Sequence, residues 1–273
     1  MFATDFIYNG QRASDLGWMI CNFDGNEETA SGGNIEFIVK KAPANDVYSY
    51  YGSHITDVLE WKFSIMKSPC LTYEDDIAKV TQYDESAVAR WLLSTNGYKW
   101  LQFDQDGYRD ICYMVKWQMT PHQINGRTVG FDLTATSNCG YGFSEEKIKT
   151  QTIKHDANDA ENDVSINLYI NNDIKEYVLP EIRLTSTSGN FYLSNLNDKI
   201  QNKDVNRQTE FYIDGNIDVT LDCMNDIVLG LNSTDEFNWF FPRLVNGYNT
   251  ITTNSTDGVT ITIKYRENRR VIV

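Results

Sequence analysis

Alternation of apolar and polar residues is the feature that most limits how this chain can fold. In the stretch VLEWKFSIMKS every second residue is large and apolar: Leu59, Trp61, Phe63 and Ile65. Successive side chains of a strand point to opposite faces, so this spacing predicts a strand buried on one face. YRDICYMVKWQMT and RTVGFDLTATS show the same alternation, and further strand-like runs follow in the second half. The chain is therefore expected to be mainly β.

Tight-turn signals separate these strands. Asn9-Gly10 follows the strand 6–8 in FIYNGQRASDLGWMI, and Asn125-Gly126 precedes RTVGFDLTATS. An Asn-Gly pair tolerates the positive φ angles that a two-residue hairpin turn requires. In the second half, strands of about six residues are separated by turns roughly every 8–12 residues, which is typical of an antiparallel β-sandwich.

One segment has helical periodicity. In YDESAVARWLLSTNG the apolar residues at positions i, i+3 and i+4 are Val88, Trp91 and Leu92. Asp84 can cap the first turn, and Gly97 stands where a helix would stop. The sequence predicts one short helix of about three turns over residues 85–95.

A polar stretch interrupts the strand pattern near the middle of the chain. VGFDLTATSNCGYGFSEE ends a strand, and about twenty polar residues follow before the next strand, VSINLYI. Polar segments of this kind are typical of the seam between two domains. We therefore predict an N-terminal β domain with one helix over 1–145, a linker over 146–163, and a C-terminal β domain over 164–273.

Acidity is spread evenly over the chain, whose net charge is −14. Residues 1–140 contain 18 acidic and 11 basic residues, and the remainder contains 20 and 13, so each part carries −7. An acidic surface opposes binding to phosphate backbones and anionic membranes. No window approaches eighteen apolar residues, and the N-terminus lacks an apolar signal core. We therefore expect no membrane insertion, and synthesis in a cytoplasm.

The sequence lacks the residue spacings that mark common catalytic and metal sites. Its three histidines are far apart, its five cysteines form no C-x₂-C pair, and GxSxG, GxxxxGK[ST] and GxGxxG are absent. DANDAEND resembles a calcium loop, but Glu161 and Asn167 stand where that loop needs Gly and Glu. We expect no enzymatic activity, no metal and no cofactor.

The order of these segments resembles the distal tail protein family of long-tailed phages that infect Gram-positive bacteria. FIYNGQRASDLGWMI is similar to that family's opening, and ARWLLSTNGYKWLQFDQDGYRDICYMVKW to its helix–strand–turn–strand block. VGFDLTATSNCGYGFSEE resembles the strand that ends its N-terminal domain. VSINLYINNDIKEYVLPEIRLTSTSGNFYL and LVNGYNTITTNSTDGVTITIKYRENRRVIV resemble its C-terminal domain. The resemblance covers nearly the whole chain.

The resemblance implies a structural subunit of the virion, located at the tail tip or baseplate. Its N-terminal domain would assemble into a homohexameric ring, with a galectin-like antiparallel β-sandwich outside that ring. The implied partners are the major tail tube protein, a tail-associated hub or fibre protein, and receptor-binding proteins. DNA would pass through the ring without tight binding, because six copies of an N-terminal part carrying −7 bring about −42 to it.

Two sets of residues are candidates for binding. Long aromatic strands at the edge of a sheet can pair with a neighbouring subunit. We therefore take the N-terminal hairpin as the candidate oligomer contact, with the residues Phe6, Ile7, Tyr8, Asn9, Gly10, Leu16 and Trp18. Trp239, in FNWFF, is a candidate sugar-stacking platform, although a Trp in such a run is also typical of a sandwich core. The alternative function is therefore a carbohydrate-binding module or adhesin in host recognition. An enzyme such as a glycosidase or peptidase is the third hypothesis.

Overall fold

The computed structural model describes residues 3–23, 29–41, 46–68, 80–104, 106, 109–158, 160–198 and 208–271. Strands dominate these residues, and they contain one α-helix, α1 (Gln82–Leu93). The chain divides into two compact units, Met1–Phe143 with Arg269–Val273, and Ser144–Asn268. This composition confirms the expected mainly β fold with one short helix.

The strands are numbered in chain order. Those in the first half are β1 (Asp5–Tyr8), β2 (Gln11–Arg12), β3 (Trp18–Cys21), β4 (Thr29–Ser31), β5 (Ile35–Lys41), β6 (Tyr48–Ile55), β7 (Glu60–Lys67), β8 (Lys99–Asp104), β9 (Ile111–Ile124), β10 (Arg127–Ser137) and β11 (Gly142–Ser144). Those in the second half are β12 (Lys147–Ile153), β13 (Ile166–Ile170), β14 (Glu181–Ser186), β15 (Gly189–Asn195), β16 (Thr209–Ile213), β17 (Ile217–Asp222), β18 (Ile227–Leu229), β19 (Gly247–Thr253), β20 (Val259–Tyr265) and β21 (Asn268–Arg269). Short 3-10 helices cover Ser14–Leu16, Ala160–Asn162 and Thr234–Glu236.

The first unit is built on one antiparallel sheet with the strand order β2-β1-β8-β9-β10-β7-β3. Strand β10 is paired on both sides, with β9 and with β7, and places Leu133 opposite both Phe63 and Met119. The alternation in β7 is as predicted, since Trp61 and Ile65 are buried while Lys62 is exposed. The hairpin turns also match the sequence, because both Asn-Gly pairs have positive φ angles.

Aromatic residues fill the core of the first unit. The buried rings are Phe6, Tyr8, Trp18, Trp61, Phe63, Trp91, Phe103, Tyr113, Trp117 and Phe131. Helix α1 lies on this core through Trp91, whose indole stacks on Phe6 with ring centroids 5.4 Å apart and donates from Nε1 to the carbonyl oxygen of Tyr8 (3.3 Å). Large rings supply much buried area per residue, so a single sheet and one helix make a dense core.

Helix α1 begins earlier than the sequence analysis predicts. Its N-cap is Thr81, whose Oγ1 accepts a hydrogen bond from the backbone N–H of Asp84, while the Asp84 carboxylate accepts from the N–H of Thr81. Asp84 is therefore the third helical residue (N3), which completes a capping box with Thr81, and it is not the N-cap. The helix thus begins at Gln82, three residues before the predicted start at 85. The predicted buried face of Val88, Trp91 and Leu92 is confirmed.

The second unit is an antiparallel β-sandwich. One sheet has the order β12-β20-β14-β17-β18 and the other β13-β19-β15-β16. Inward-facing aliphatic residues of both sheets form its core, such as Ile182 and Leu184 from β14 and Ile166 and Ile170 from β13. The expected sandwich is confirmed, and its short strands alternate between buried and exposed residues as predicted.

The segment interpreted as a linker is ordered. Lys147–Ile153 form β12, which pairs with β20 along its whole length from Lys147↔Tyr265 to Ile153↔Val259. The loop beyond it is closed by Asp163, whose Oδ1 accepts from the backbone N–H of Asp156 (2.8 Å). The polar side chains that suggested a linker belong to an edge strand that is exposed along most of its length and to a hydrogen-bonded loop.

Candidate assembly surface

Strands β5 and β6 form a separate two-stranded antiparallel ribbon. We call this ribbon, residues 35–41 and 46–55, the arm. Its strands pair from Ile35↔Ile55 to Lys41↔Tyr48, and Tyr51 is an extra residue where the register shifts between Ile38 and Val39. Its two strands form a sheet of their own, separate from the main sheet of the first unit.

Apolar side chains are exposed along the whole arm. They are Phe37, Ile38, Val39, Val47, Tyr48, Tyr50 and Tyr51. Tyr51, for example, is 68% exposed. An isolated two-stranded hairpin is marginally stable in water, and contiguous exposed apolar surface usually marks a binding surface. The arm is therefore the strongest candidate for a contact with another chain.

The base of the arm is fixed to the first unit. Asn34 donates from Nδ2 to Oδ2 of Asp57 (2.7 Å), and its carbonyl oxygen accepts from the N–H of Thr56 (2.9 Å). Gly32 has a φ of 110°, and a Cβ there would lie 1.9 Å from the carbonyl oxygen of Val58. Only glycine fits this close approach, so the two chain segments that lead into and out of the arm are held against each other at its base.

A cavity of about 410 Å³ lies between α1 and the N-terminal hairpin. We call it the α1 groove, and its lining residues are Asn9, Gln11, Leu16, Trp18, Asp84, Ala87, Val88, Arg90, Trp91 and Thr95. Trp18, Val88 and Trp91 are buried and apolar, whereas Asn9 and Arg90 are exposed and polar. The groove thus combines an apolar floor with a polar rim.

Asp84 fixes the start of α1 beside this groove. Lys67 donates from Nζ to Oδ2 of Asp84 (2.7 Å), and the hydroxyl of Thr81 donates to the same oxygen (2.7 Å). Burial acts to raise the pKa of Asp84, but these hydrogen bonds outweigh it and hold the pKa below its usual range. The carboxylate therefore stays charged near neutral pH and keeps the helix start in place.

The second unit also exposes aromatic residues, in a loop after the 3-10 helix Thr234–Glu236. Trp239 is 49% exposed and has a φ of 60°, which is unusual for a bulky residue. Asn238 holds this conformation, because its Oδ1 accepts from the N–H groups of Glu210 (3.1 Å) and Phe240 (3.2 Å). We call residues 237–241 the Trp239 loop.

Family models match both halves of the chain. A model described as a phage tail protein N-terminal domain matches residues 1–139, and one described as a phage tail C-terminal domain matches residues 141–265. The chain belongs to this phage tail protein family. The resemblance drawn from the sequence to a phage tail component is thereby confirmed.

The tail protein also shares its fold with a solved structure. The crystal structure of the SPP1 Dit protein, described as a paradigm of the hub adsorption apparatus in phages infecting Gram-positive bacteria, matches with a TM-score of 0.56 and 12% sequence identity. The match covers 97% of this chain and 98% of that chain. No curated protein sequence matches the tail protein.

The residues predicted as oligomer contacts separate into two groups. Phe6, Tyr8 and Trp18 lie in the core of the first unit. Ile7 is half-buried, whereas the surface members are Asn9, Gly10 and Leu16, the last 44% exposed. Strand β1 lies between β2 and β8 rather than at the edge of the sheet, so the expected edge strand is internal. Asn9, Leu16 and Trp18 nevertheless meet at the α1 groove.

Sequence reasoning missed the arm of this tail protein. The sequence of IEFIVKK by itself indicates a short strand, but no pattern in YSYYGSHI marks that segment as its partner. Apolar residues stand on both faces of each strand, so the alternation that marks a half-buried strand is absent. The available signal was the density of tyrosines in YSYY, which is typical of binding surfaces.

The described residues hold no group of three or more His, Cys, Asp or Glu placed to bind a metal ion. None of the helices within the described ranges is long and apolar enough to cross a membrane. Burial raises the pKa of the Cys139 thiol to about 11 and that of Cys21 to about 12, and both are free thiols. These two thiols are therefore protonated, and poor nucleophiles, near neutral pH.

Proposed function

We propose that this tail protein is a structural hub of the tail tip or baseplate. Six copies would form a ring that joins the tail tube to the baseplate hub or fibre. The observation that carries the proposal is the likeness in fold, along 97% of the chain, to a protein described as a hub of the adsorption apparatus. Family models for phage tail proteins over both halves support the same role.

The arm supports the ring in particular. It belongs to the first unit, exposes four aromatic side chains, Phe37, Tyr48, Tyr50 and Tyr51, and has its two chain segments held together at its base. A contact between the arm of one copy and a different surface of the next is heterologous, and such contacts close into rings when the rotation permits. In this role the ring subunit has a structural rather than an enzymatic function.

The other partners follow from the position of a hub in the tail. The major tail tube protein would contact one side of the ring, and a tail-associated hub or fibre protein the other. Receptor-binding proteins are a further candidate class of partner. The protein would be made in the host cytoplasm and end in the virion.

The charge of the chain suits passage of DNA through the ring. Duplex DNA carries about one negative charge per 1.7 Å of its axis. Six copies of residues 1–140, each with a net charge of −7, bring about −42 to the ring. We propose a net-negative bore that DNA does not grip. Tight, salt-sensitive retention of a short duplex by the hexamer in a gel shift would contradict this.

Light scattering on the purified protein tests the ring. A particle with close to six times the subunit mass of 31.4 kDa is expected. Negative-stain images of that particle should show a ring with a central channel. A protein that stays monomeric at high concentration, and does not join purified tail tubes, would contradict the hub proposal.

A second candidate function is carbohydrate binding by the Trp239 loop in host recognition. The observation that favours it is an exposed indole held at positive φ, since a strained conformation kept in place by its surroundings often serves binding. Glycan-array binding that disappears in Trp239→Ala would support this function. Equal binding by that variant and the unaltered protein would exclude Trp239 as the platform.

A further inference from the structure

The two sheets of the second unit present different outer faces. On the sheet β12-β20-β14-β17-β18, Lys264 donates from Nζ to Oε1 of Glu181 (2.7 Å). Arg183 donates to both carboxylate oxygens of Asp218 (3.0 and 2.9 Å). Threonine hydroxyls pair across β12 and β20 on the same face. The centre of this face thus consists of polar groups that satisfy one another.

The outer face of the other sheet, β13-β19-β15-β16, carries tyrosines. Along each strand the outward side chains alternate with buried ones, and the outward set includes Tyr169, Tyr192, Tyr212 and Tyr248. Tyr248 is 73% exposed, and its cross-strand partner Tyr169 is 59% exposed. The two rings meet edge to face, with their centroids 5.0 Å apart. We call this surface the tyrosine face.

The side chains between these tyrosines are polar and almost uncharged. The four strands, all within the described residues, contain no Lys or Arg, and Glu210 is their one acidic residue. The Glu210 carboxylate accepts a hydrogen bond from the hydroxyl of Tyr212. Beside the tyrosine pair, Thr250 donates from Oγ1 to Oδ1 of Asn167 (2.9 Å). Leu196, an exposed aliphatic residue, follows β15 next to Thr250.

This combination of groups matches the surface of a sugar. A tyrosine ring offers an apolar face and a phenol hydroxyl, and Asn and Thr side chains both donate and accept hydrogen bonds. A sugar ring has an apolar face of C–H groups and a rim of hydroxyl groups. A neutral sugar fits best, because the face holds no cation to pair with an anionic group and the chain has a net charge of −14.

A protein partner fits the tyrosine face less well. Protein interfaces are dominated by a few large side chains that cluster near the centre of the contact. Here Thr252 and Ser194, which lie opposite each other on β19 and β15, separate the tyrosines at the two ends of the sheet. The centre of the face is therefore made of small polar side chains.

The tyrosine face is long enough for a chain of sugars. Tyr248 lies near the beginning of β19, whereas the backbone N–H of Tyr192 donates to Oδ1 of Asn254 (2.7 Å), just beyond the end of that strand. A strand of this length spans about 20 Å. An extended oligosaccharide, rather than a single sugar, can contact both ends.

We propose that the tyrosine face binds a neutral polysaccharide, with sugar rings stacked on Tyr248 and Tyr169 and sugar hydroxyl groups bonded by Asn167. This inference rests on the second candidate function, carbohydrate binding, and deepens it by naming the class of glycan and a platform other than Trp239. It does not depend on the ring.

Affinity gel electrophoresis of the full chain tests the binding. Separate gels contain the neutral polysaccharides galactan, mannan and dextran, and one contains acidic polygalacturonate at the same concentration. At least one neutral polysaccharide should retard the protein, and polygalacturonate should not. A protein that none of the neutral polysaccharides retards, or that polygalacturonate retards more strongly, would overturn the inference.

Substitution of the tyrosine pair locates the site. Tyr169→Ser with Tyr248→Ser should lower the affinity at least about 10-fold, whereas Tyr169→Phe with Tyr248→Phe keeps the rings and should retain most of it. Tyr83→Ser, at a tyrosine of α1 that is 89% exposed, is the matched control and should bind like the wild type. Light scattering and thermal unfolding establish that the compared variants share one oligomeric state and stability, because the number of copies changes the apparent affinity.

The outcomes separate the tyrosine face from the Trp239 loop and from the hub. Binding that survives in the Tyr169→Ser, Tyr248→Ser variant but disappears in Trp239→Ala would overturn the tyrosine face and support the loop. Equal losses in the tyrosine-pair variant and in Tyr83→Ser would also overturn it. If the wild type binds no glycan but binds a purified tail protein through the tyrosine pair, the face is a protein-docking surface and the inference is wrong. None of these results changes the oligomeric state on which the hub proposal is tested.

Discussion

The arm and the Trp239 loop both expose aromatic side chains, but they hold them differently. In the arm, Tyr51 and its neighbours stand on a ribbon that is fixed only at its base, by Gly32 and Asn34. In the loop, Trp239 rests against Phe237 at 5.7 Å and donates from Nε1 to the carbonyl oxygen of Thr234 (3.1 Å). The Trp239 side chain therefore has packing and hydrogen-bond partners within its own unit, whereas the described arm residues are all exposed or half-buried.

The difference shows that an aromatic side chain can be exposed either because nothing in its own chain covers it or because only part of it is packed there. The rings of the arm gain little packing inside the single chain, so under the proposed function most of their burial would come from a partner. The Trp239 side chain gains packing and a hydrogen bond inside the single chain, and exposes the rest of its surface. Variants of the arm should therefore change assembly, and variants of the loop should change stability.

The largest expected effect comes from removing the arm tyrosines. A variant with Tyr48→Ser, Tyr50→Ser and Tyr51→Ser should raise the dissociation constant of the hexamer more than about 100-fold, because interface aromatics carry much of the binding energy. The free energy of unfolding of the monomer should change by no more than about 0.5 kcal/mol per site, since these residues are exposed. Light scattering over a dilution series measures the first, and urea unfolding the second.

Tyr169→Ser with Tyr248→Ser is the matched control, because this exposed tyrosine pair lies in the second unit. It should leave the hexamer unchanged. If the control and the arm variant dissociated equally, the arm tyrosines would contribute no more to assembly than other exposed tyrosines, which would contradict the prediction.

The next effect concerns the support of the Trp239 loop. Asn238→Ala removes an acceptor for two backbone N–H groups and a donor to the carbonyl oxygen of Gln208 (2.9 Å). Leaving the half-buried groups of Gln208 and Glu210 without partners should cost about 1–3 kcal/mol of the free energy of unfolding of the second unit. Thermal unfolding measures this loss, and the hexamer should persist.

Asn225→Ala serves as the control for that variant. Asn225 is exposed and hydrogen-bonds Asp222 nearby in sequence, so its loss should cost less than about 0.5 kcal/mol. If Asn238→Ala were equally mild, the loop would not depend on its hydrogen bonds, and the contrast with the arm would weaken.

A variant at the N-cap of α1, outside both the arm and the Trp239 loop, gives a stability change with which the others can be compared. Thr81→Ala removes the N-cap of α1 and should cost about 1 kcal/mol of stability of the first unit. Gln82→Ala, at the exposed next position, should cost little. A hexamer that weakens with Thr81→Ala but not with Gln82→Ala would show that assembly depends on the start of α1.

The smallest effect is a pH dependence. The pKa of Asp84 is lowered in the folded protein, so its contribution is present above the unfolded pKa of about 3.9 and is lost as pH falls through the folded value. The stability difference between wild type and Asp84→Asn should therefore be larger at pH 7 than at pH 3. A difference that is the same at both pH values would contradict the ion pair with Lys67.

Local patterns predicted most of the fold. Alternation located β7, β9 and β10, Asn-Gly pairs located two hairpin turns, and the spacing of Val88, Trp91 and Leu92 located α1. These features depend on neighbours in sequence and on burial of one face, both of which a single sequence displays. The N-cap was misplaced by three residues because Thr81 and Asp84 are both good capping residues.

The candidate site was harder to predict because it depends on burial that only tertiary structure decides. Phe6 and Tyr8 look like interface aromatics in the sequence, but pairing of β1 between β2 and β8 makes them core residues. Tyr50 and Tyr51 show no strand pattern in the sequence, but they belong to a two-stranded ribbon whose described residues are exposed or half-buried.

The bulge at Tyr51 affects how readily a free, unassembled subunit would aggregate. A flat aromatic ribbon with free edges recruits further strands and grows into fibrils. The extra residue bends and twists the ribbon. Lys40 and Lys41, the latter paired with Asp46 at 2.9 Å, place charged side chains on opposite faces of its outer part. Both features penalise open-ended strand addition. Under the proposed function, a subunit built in this way would accumulate without aggregating before it assembles.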